Sequence, residues 1–282
     1  MMNSRRNFLK ASGALAAGAL LLPKMSEAGN KKRLKHVGVQ LYTVRKEMLE
    51  DNVGTLRRLA ALGFKEIESA ASDKGYYYGL APAEMKKVCK DLGMTLRSGH
   101  VHFDDKWQKT IDDAKEAGQE YLIVSSMPTR GQTVDNYKKV ADAFNGAGET
   151  CKKSDLKFGY HNHEYEFEKD GDKVLFDLLL ESTNPEYVNF ELDLGWVIVT
   201  GNDPLAYFEK YPNRFPLWHL KDMDMQAKHS TEFGKGGLDI KKMLAAAKSS
   251  GMKYYFVEQE EYTSSPFESL AYNYNYLKTM KT

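Results

Sequence analysis

Residues 134–163 read VDNYKKVADAFNGAGETCKKSDLKFGYHNH, and two structural periods meet inside them. Val134, Tyr137, Ala141, Phe144, Ala147 and Cys151 recur at spacings of three and four, which is the apolar stripe of a helix with one buried face. The pattern then changes. Leu156–Asn162 is a short aromatic run that predicts a strand, and it closes on His161, Asn162 and His163.

The same beat runs through the chain. Strand-like runs lie at His36–Tyr42, Lys65–Glu68, Met94–His100, Tyr121–Ser126, Tyr187–Asp193, Phe215–Lys221 and Lys253–Glu258. Helical stripes stand between them: Val53, Leu56, Leu59 and Ala60 form one, and Met85, Val88, Cys89 and Leu92 another. Gly63, Gly93, Gly118 and Gly251 each follow a helix and precede a strand, where a helix C-terminus needs a left-handed residue. Strand–helix alternation implies parallel strands joined by right-handed crossovers. Eight such units in this length predict a single-domain (β/α)8 TIM barrel. The competitor, an open doubly wound sheet, needs a glycine-rich phosphate loop after its first strand, and Gly38-Val-Gln-Leu-Tyr-Thr-Val-Arg45 has none.

The N-terminus reads as an export signal. Arg5-Arg6-Asn-Phe-Leu-Lys10 precedes an apolar run from Ala11 to Leu22 and a polar stretch ending Ser26-Glu27-Ala28. About 12 apolar residues are too few for a membrane span, which needs about 20. Paired arginines before Phe-Leu-Lys resemble a twin-arginine signal, with cleavage expected near Ala28 and a periplasmic destination. Residues 1–28 are thus assigned to the signal and 29–282 to the barrel. The signal holds Arg5, Arg6, Lys10 and Lys24 against Glu27 alone; the remainder has 36 basic and 38 acidic residues, a charge of −2. A near-neutral body excludes the basic excess of a nucleic-acid binder, and no stable membrane anchor is indicated. Cys89 and Cys151 match no metal spacing and read as buried thiols.

In such a barrel, chemistry gathers where strands end. The predicted ends carry Gln40 and Tyr42; Glu68; His100 and His102; Ser125; His161, Asn162, His163 and Glu164; Glu191 and Asp193; His219, Lys221 and Asp222; Glu258 and Glu260. Five of the seven histidines lie on this rim, which favours a site over scattered structural residues. His161, Asp193, His219 and Glu258, from strands five to eight, make a plausible shell for one divalent ion: Mn, Zn, Co or Mg. Gln40, Tyr42, Phe103 and Trp196 are candidates for the walls of a substrate site, or for plain core packing.

These residues resemble the sugar phosphate isomerase/epimerase superfamily, the xylose isomerase-like TIM barrels, from about Lys35 to Lys278. The resemblance rests on Val37–Arg45, Leu62–Glu68, Tyr160-His-Asn-His-Glu-Tyr-Glu-Phe167, Glu191-Leu-Asp-Leu-Gly-Trp196, Trp218-His-Leu-Lys-Asp222, Gly234-Lys-Gly-Gly-Leu-Asp239 and Val257-Glu258, in that order. It implies a metal held by Asp193, His219 and Glu258. It also implies substrate contacts at Glu68, His100 and Lys221; Gln40 and Asn162, at the same rim, are further substrate-binding candidates. Many members carry a glutamate where this chain has His161. That departure keeps a ligand but removes a carboxylate base; Glu164 reaching back would restore one.

The expected chemistry is proton abstraction next to a carbonyl through an enediolate, with Glu258 as base once burial raises its pKa, and His161 and Glu164 as further catalytic candidates. Isomerisation, epimerisation or elimination follows from the fate of that intermediate. Elimination needs one base and one acid, so it tolerates His161. The substrate is a small sugar or keto-sugar, and the oligomeric state is left open. Two other readings compete: a non-catalytic carbohydrate-binding barrel, and a phosphodiesterase, against which the acidic body speaks. Replacing Arg5 and Arg6 by lysine should leave the full-length chain in the cytosol, followed by fractionation and N-terminal sequencing. Export of that variant at the wild-type rate would refute the signal assignment.

Overall fold

A computed structural model describes residues 36–280, so the signal assigned to residues 1–28 lies outside the described residues. Its eight barrel strands are β1 (Gly38–Gln40), β2 (Glu66–Ser69), β3 (Thr95–Val101), β4 (Tyr121–Val124), β5 (Lys157–His161), β6 (Val188–Asp193), β7 (Leu217–Leu220) and β8 (Tyr254–Val257). They pair in parallel in the order β1-β8-β7-β6-β5-β4-β3-β2, and β1 bonds both β8 and β2, so the sheet closes. The chain forms the (β/α)8 barrel that its alternation predicts, as a single domain. Each strand is followed by a helix: Asn52–Leu62, Pro82–Asp91, Trp107–Ala117, Val134–Lys153, Leu175–Ser182, Pro204–Lys210, Ile240–Ser250 and Pro266–Thr279.

Local chemistry sets the helix ends. Asp51, Thr133, Asp203, Asp239 and Ser265 each accept a backbone N–H of the first turn through the side chain. Gly63, Gly93, Gly118 and Gly251 all take positive φ, as their positions after helices require. The first strand is shorter than its run suggests. Gln40 Oε1 accepts the N–H of Tyr42 at 3.1 Å, which turns the chain into a 3-10 turn, Leu41–Val44.

Alternation along each strand separates two surfaces. Val39, Ile67, Leu122, Phe158, Tyr160, Phe190, Leu192, Trp218, Leu220 and Val257 are buried in the large core beneath the helices. Ile123, Leu217 and Phe256, with Tyr121 and Tyr254, form a separate cluster that fills the bottom of the barrel. Two glycines make that plug fit: a Cβ on Gly38 would meet the Phe256 ring at 2.6 Å, and one on Gly159 would meet Ile123 Cδ1 at 2.7 Å. The next inward residues along the same strands are Gln40, His161, His219 and Glu258. The apolar plug therefore lies directly beneath the polar residues. Cys89 and Cys151 are buried free thiols.

The Val134–Lys153 helix presses its stripe on β5, with the Phe144 ring 5.2 Å from Phe158 and 5.0 Å from Tyr160. Phe144→Ala should cost about 3–5 kcal/mol in urea unfolding through the cavity left behind β5. A loss below about 1 kcal/mol would show that this helix does not hold the strand.

Candidate active site

Above the plug the barrel interior is polar and buried. Glu68 (β2) accepts Gln40 Nε2 at 2.9 Å on Oε2 and Ser98 Oγ at 2.6 Å on Oε1. His219 Nε2 lies 2.6 Å from the same Oε2. A register shift between Ile67 and Glu68 sets Ser98 opposite Glu68. On the far side, Glu191 Oε2 faces three imidazoles: His100 Nε2 at 2.7 Å, His219 Nε2 at 3.2 Å and His161 Nδ1 at 3.3 Å. The rings of His100, His161 and His219 stand 4.4–5.1 Å apart by centroid.

One step toward the mouth lie Asp193, Glu258 and Lys221. Lys221 is 1% exposed, with Nζ 2.9 Å from Asp193 Oδ2 and 2.7 Å from both Glu258 Oε2 and Glu260 Oε1. Only the contact to Glu260 has hydrogen-bond geometry, so Asp193 Oδ2 is buried without a donor. Asp193 Oδ1 accepts the N–H of Trp196 at 2.9 Å and so caps the Leu194–Val199 turn. Asn162 Oδ1 accepts the N–H of Asp193 at 3.0 Å, fixing β5 to β6 at their ends. His219 Nδ1 lies 2.9 Å from Glu258 Oε2. A cavity of about 440 Å³ opens above these groups, bordered by Tyr42, Ser72, Asp73, His102, Ser125 and His163.

Burial opposes every charge here, and the neighbours decide which charges survive. Burial disfavours an ionised Glu258, yet Lys221 and His219 outweigh it and hold the carboxyl well below the usual range. The expected rise in the Glu258 pKa does not occur, because a buried ammonium stands beside it. Burial likewise opposes protonated His219 and Lys221, but Glu191 and Glu258 for the first, and Asp193 and Glu258 for the second, hold both well above their ordinary values. His161 goes the other way: burial and the adjacent His219 keep it neutral. Glu68 is raised to about 7 by burial and by Glu191.

The structure brings together most of the residues expected from the rim. Gln40, Glu68, His100, His161, Asn162, Asp193, His219, Lys221 and Glu258 all converge inside the mouth. Others fall elsewhere. Glu164 is exposed at the start of the 3-10 turn Tyr165–Phe167 and does not reach the cluster. The buried carboxylate of that turn is Glu166, which accepts the N–H of His163 at 2.8 Å and the Tyr160 hydroxyl. Phe103 packs edge-on against Trp107 rather than bordering the cavity. Asp222 accepts the N–H groups of Met223, Gly234, Gly236 and Leu238, shaping the loop after β7. Glu191 and Glu260 are strand-end residues to which the sequence alone assigns no role. Glu191 had a usable signal, since it precedes Asp193 by two in a strand and so shares its face.

Comparison with known proteins agrees with this architecture. The family described as "Xylose isomerase-like TIM barrel" matches residues 56–280, and the twin-arginine translocation signal matches residues 2–21. The second match gives the chain an export signal, and no described helix is long and apolar enough to cross a membrane. A sugar phosphate isomerase/epimerase structure from Parabacteroides distasonis is 28% identical, with TM-score 0.76, over 90% of this chain and 97% of that one. A 3-keto-D-glucoside 4-epimerase from E. coli, 13% identical with TM-score 0.67 over 88% of this chain and all of that one, shares the fold. An inosose dehydratase from Lacticaseibacillus casei is 25% identical over 156 residues, 48% of this chain and 52% of that protein. Another, from Clostridium tetani, is 32% identical over 91 residues, 32% of this chain and 30% of its own length. The matched segments thus span about half the length of these curated relatives, or less.

Burial raises Glu166 from 4.5 to about 7. The unfolded chain releases this proton first, so the stability the group contributes is full below about 4.5 and lost as pH rises to about 7. In Glu166→Gln the Tyr160 hydroxyl can turn to accept from the amide. The variant should gain on the order of 3 kcal/mol relative to wild type between pH 5 and pH 8. Identical pH slopes in denaturant unfolding would contradict this.

Proposed function

The chain belongs to the family of xylose isomerase-like TIM barrels, and from that footing we propose a divalent-metal-dependent enzyme that removes a proton next to the carbonyl of an unphosphorylated sugar or keto-sugar, exported to the periplasm. One observation carries the reading. Glu258 is a buried yet ionised carboxylate at the floor of an open cavity, set between Lys221 and His219. A base, a cation and hydroxyl-binding groups so placed suit a small polyol better than a macromolecule.

The donor set fits a metal. Ligand atoms of His161, Asp193, His219 and Glu258 lie within 4.8 Å of one another, all four residues are buried, and Asp193 Oδ2 lacks a hydrogen-bond donor. Two imidazoles and two carboxylates suit Zn, Mn, Co or Mg. When bound, such an ion supplies Lewis-acid stabilisation for negative charge developing on substrate oxygen. The cavity border contains three acidic residues, Asp73, Glu258 and Glu260, against one lysine, Lys221, and four histidines, with no arginine. The border lacks the arginine fork that grips a phosphate dianion, which favours an unphosphorylated substrate, as does an export signal.

Glu258 takes the proton from carbon, and Lys221, 2.7 Å from it, keeps it ionised until then. Lys221 also has protons to return to an oxygen or a leaving group, and Glu260 holds its ammonium in place. His161 faces the cavity where a second carboxylate would serve a symmetric epimerisation. This favours elimination of a β-substituent, the chemistry named for the inosose dehydratases, with epimerisation as the other outcome of the same step. The mature protein, incubated with divalent metal and a 3-keto-glucoside in D2O, should exchange or lose the proton next to the carbonyl. Glu258→Gln should slow this at least a hundred-fold while retaining sugar binding. Tight sugar binding without exchange in wild type would replace this reading by the carbohydrate-binding barrel.

A further inference from the structure

The expected ligands are not the sole metal-competent set in the barrel. Glu191 Oε2 has His100 Nε2, His219 Nε2 and His161 Nδ1 at 2.7, 3.2 and 3.3 Å, and all four residues are buried. In a tetrahedral shell with bonds of about 2.0–2.1 Å, donor atoms stand about 3.3 Å apart. Three imidazoles and one carboxylate, with the contacts to Glu191 near that spacing and all four ligand atoms within 4.8 Å of one another, make a donor set that can close around a transition metal. Two atoms here are left without partners: His161 Nδ1, on a side chain 3% exposed, and Glu191 Oε1. Each is a buried polar group that a cation, or a ligand it brings, would satisfy.

The two sets differ in how their negative charge is already met. Asp193 and Glu258 have the Lys221 ammonium at 2.9 and 2.7 Å. Glu68 and Glu191, one layer deeper, have only histidines as ion-pair partners among the described residues. An ion beside Asp193 and Glu258 shares those carboxylates with an ammonium that stays in place, whereas one beside Glu191 displaces only the protons of the imidazoles that ligate it. Moreover, His161 and His219 turn opposite nitrogens to the two positions: Nδ1 and Nε2 inward, Nε2 and Nδ1 toward Asp193. A neutral imidazole that ligates through one nitrogen keeps its proton on the other, so the pair serves one position at a time.

We propose that the barrel contains a second cation position, formed by His100, His161, Glu191 and His219, and that it holds the resident divalent ion of the substrate-free protein. This rests on the metal-dependent reading above and refines where the ion sits. Glu68, 3.4 Å from His100 and 2.6 Å from His219, orients both rings from outside the shell.

The test uses the mature protein, freed of metal by chelation and reloaded with Co(II) or Zn(II) as probe. Anomalous diffraction from loaded crystals should place an ion within bonding distance of Glu191 and His100. In solution, Glu191→Gln should weaken Co(II) binding ten-fold or more by calorimetry and alter the visible Co(II) spectrum, while Asp193→Asn changes affinity less than three-fold. His100→Asn, titrated in parallel, gives the same readout should Glu191→Gln not fold. An ion bonded to Asp193 and Glu258 alone, lost in Asp193→Asn, would overturn this inference and leave the metal-dependent function standing. No bound ion in wild type would overturn both.

Discussion

The interior of this barrel is organised by an excess of buried negative charge. Glu68, Glu191, Asp193 and Glu258 are at most 5% exposed, and Glu260 is close by, yet Lys221 is the single ammonium among them. Burying a carboxylate without a partner costs several kcal/mol. The cluster must therefore hold protons on its histidines, or a cation, or both. That requirement accounts for the three imidazoles around Glu191 and for the opposite protonation of His161 and His219. It also explains why Glu258 remains ionised deep in the fold: the ammonium and imidazole beside it outweigh the loss of water.

Such a cluster needs a rigid floor. The Ile123, Leu217 and Phe256 plug provides it, and Gly38 and Gly159 leave the room those side chains require. Because every strand alternates, a residue that fills the plug fixes the face of the residue two positions on. Phe256 thereby sets Glu258, Leu217 sets His219, and Gly159 sets His161. Loops complete the mouth. Asp222 ties down the segment from Gly234 to Leu238, where a Cβ on Gly236 would meet Asp222 Oδ1 at 2.3 Å, which explains the glycine at that position.

Much of this was legible in the chain. The alternation of stripes and short runs located all eight strands, and their polar ends located the rim. His161, Asp193, His219 and Glu258 do come within 4.8 Å of one another. Local pattern says less where a turn intervenes. Tyr42 left β1 for a 3-10 turn because Gln40 capped it, and Glu164 pointed outward while Glu166 turned in to meet Tyr160 and the His163 amide.

By itself the sequence determined the class of fold, the export signal and the inventory of ionisable groups at one rim, because periodicity and motif spacing are local properties. Only the tertiary structure decided who meets whom. His219 and Glu68 lie 151 residues apart and approach to 2.6 Å because β1 closes the barrel between β8 and β2. Closure at a particular register brought Glu191 among the imidazoles and placed the Lys221 ammonium against Asp193 and Glu258. The charge of each group then followed from these neighbours, since in a dry interior a contact a few ångströms long outweighs what the isolated residue would do in water.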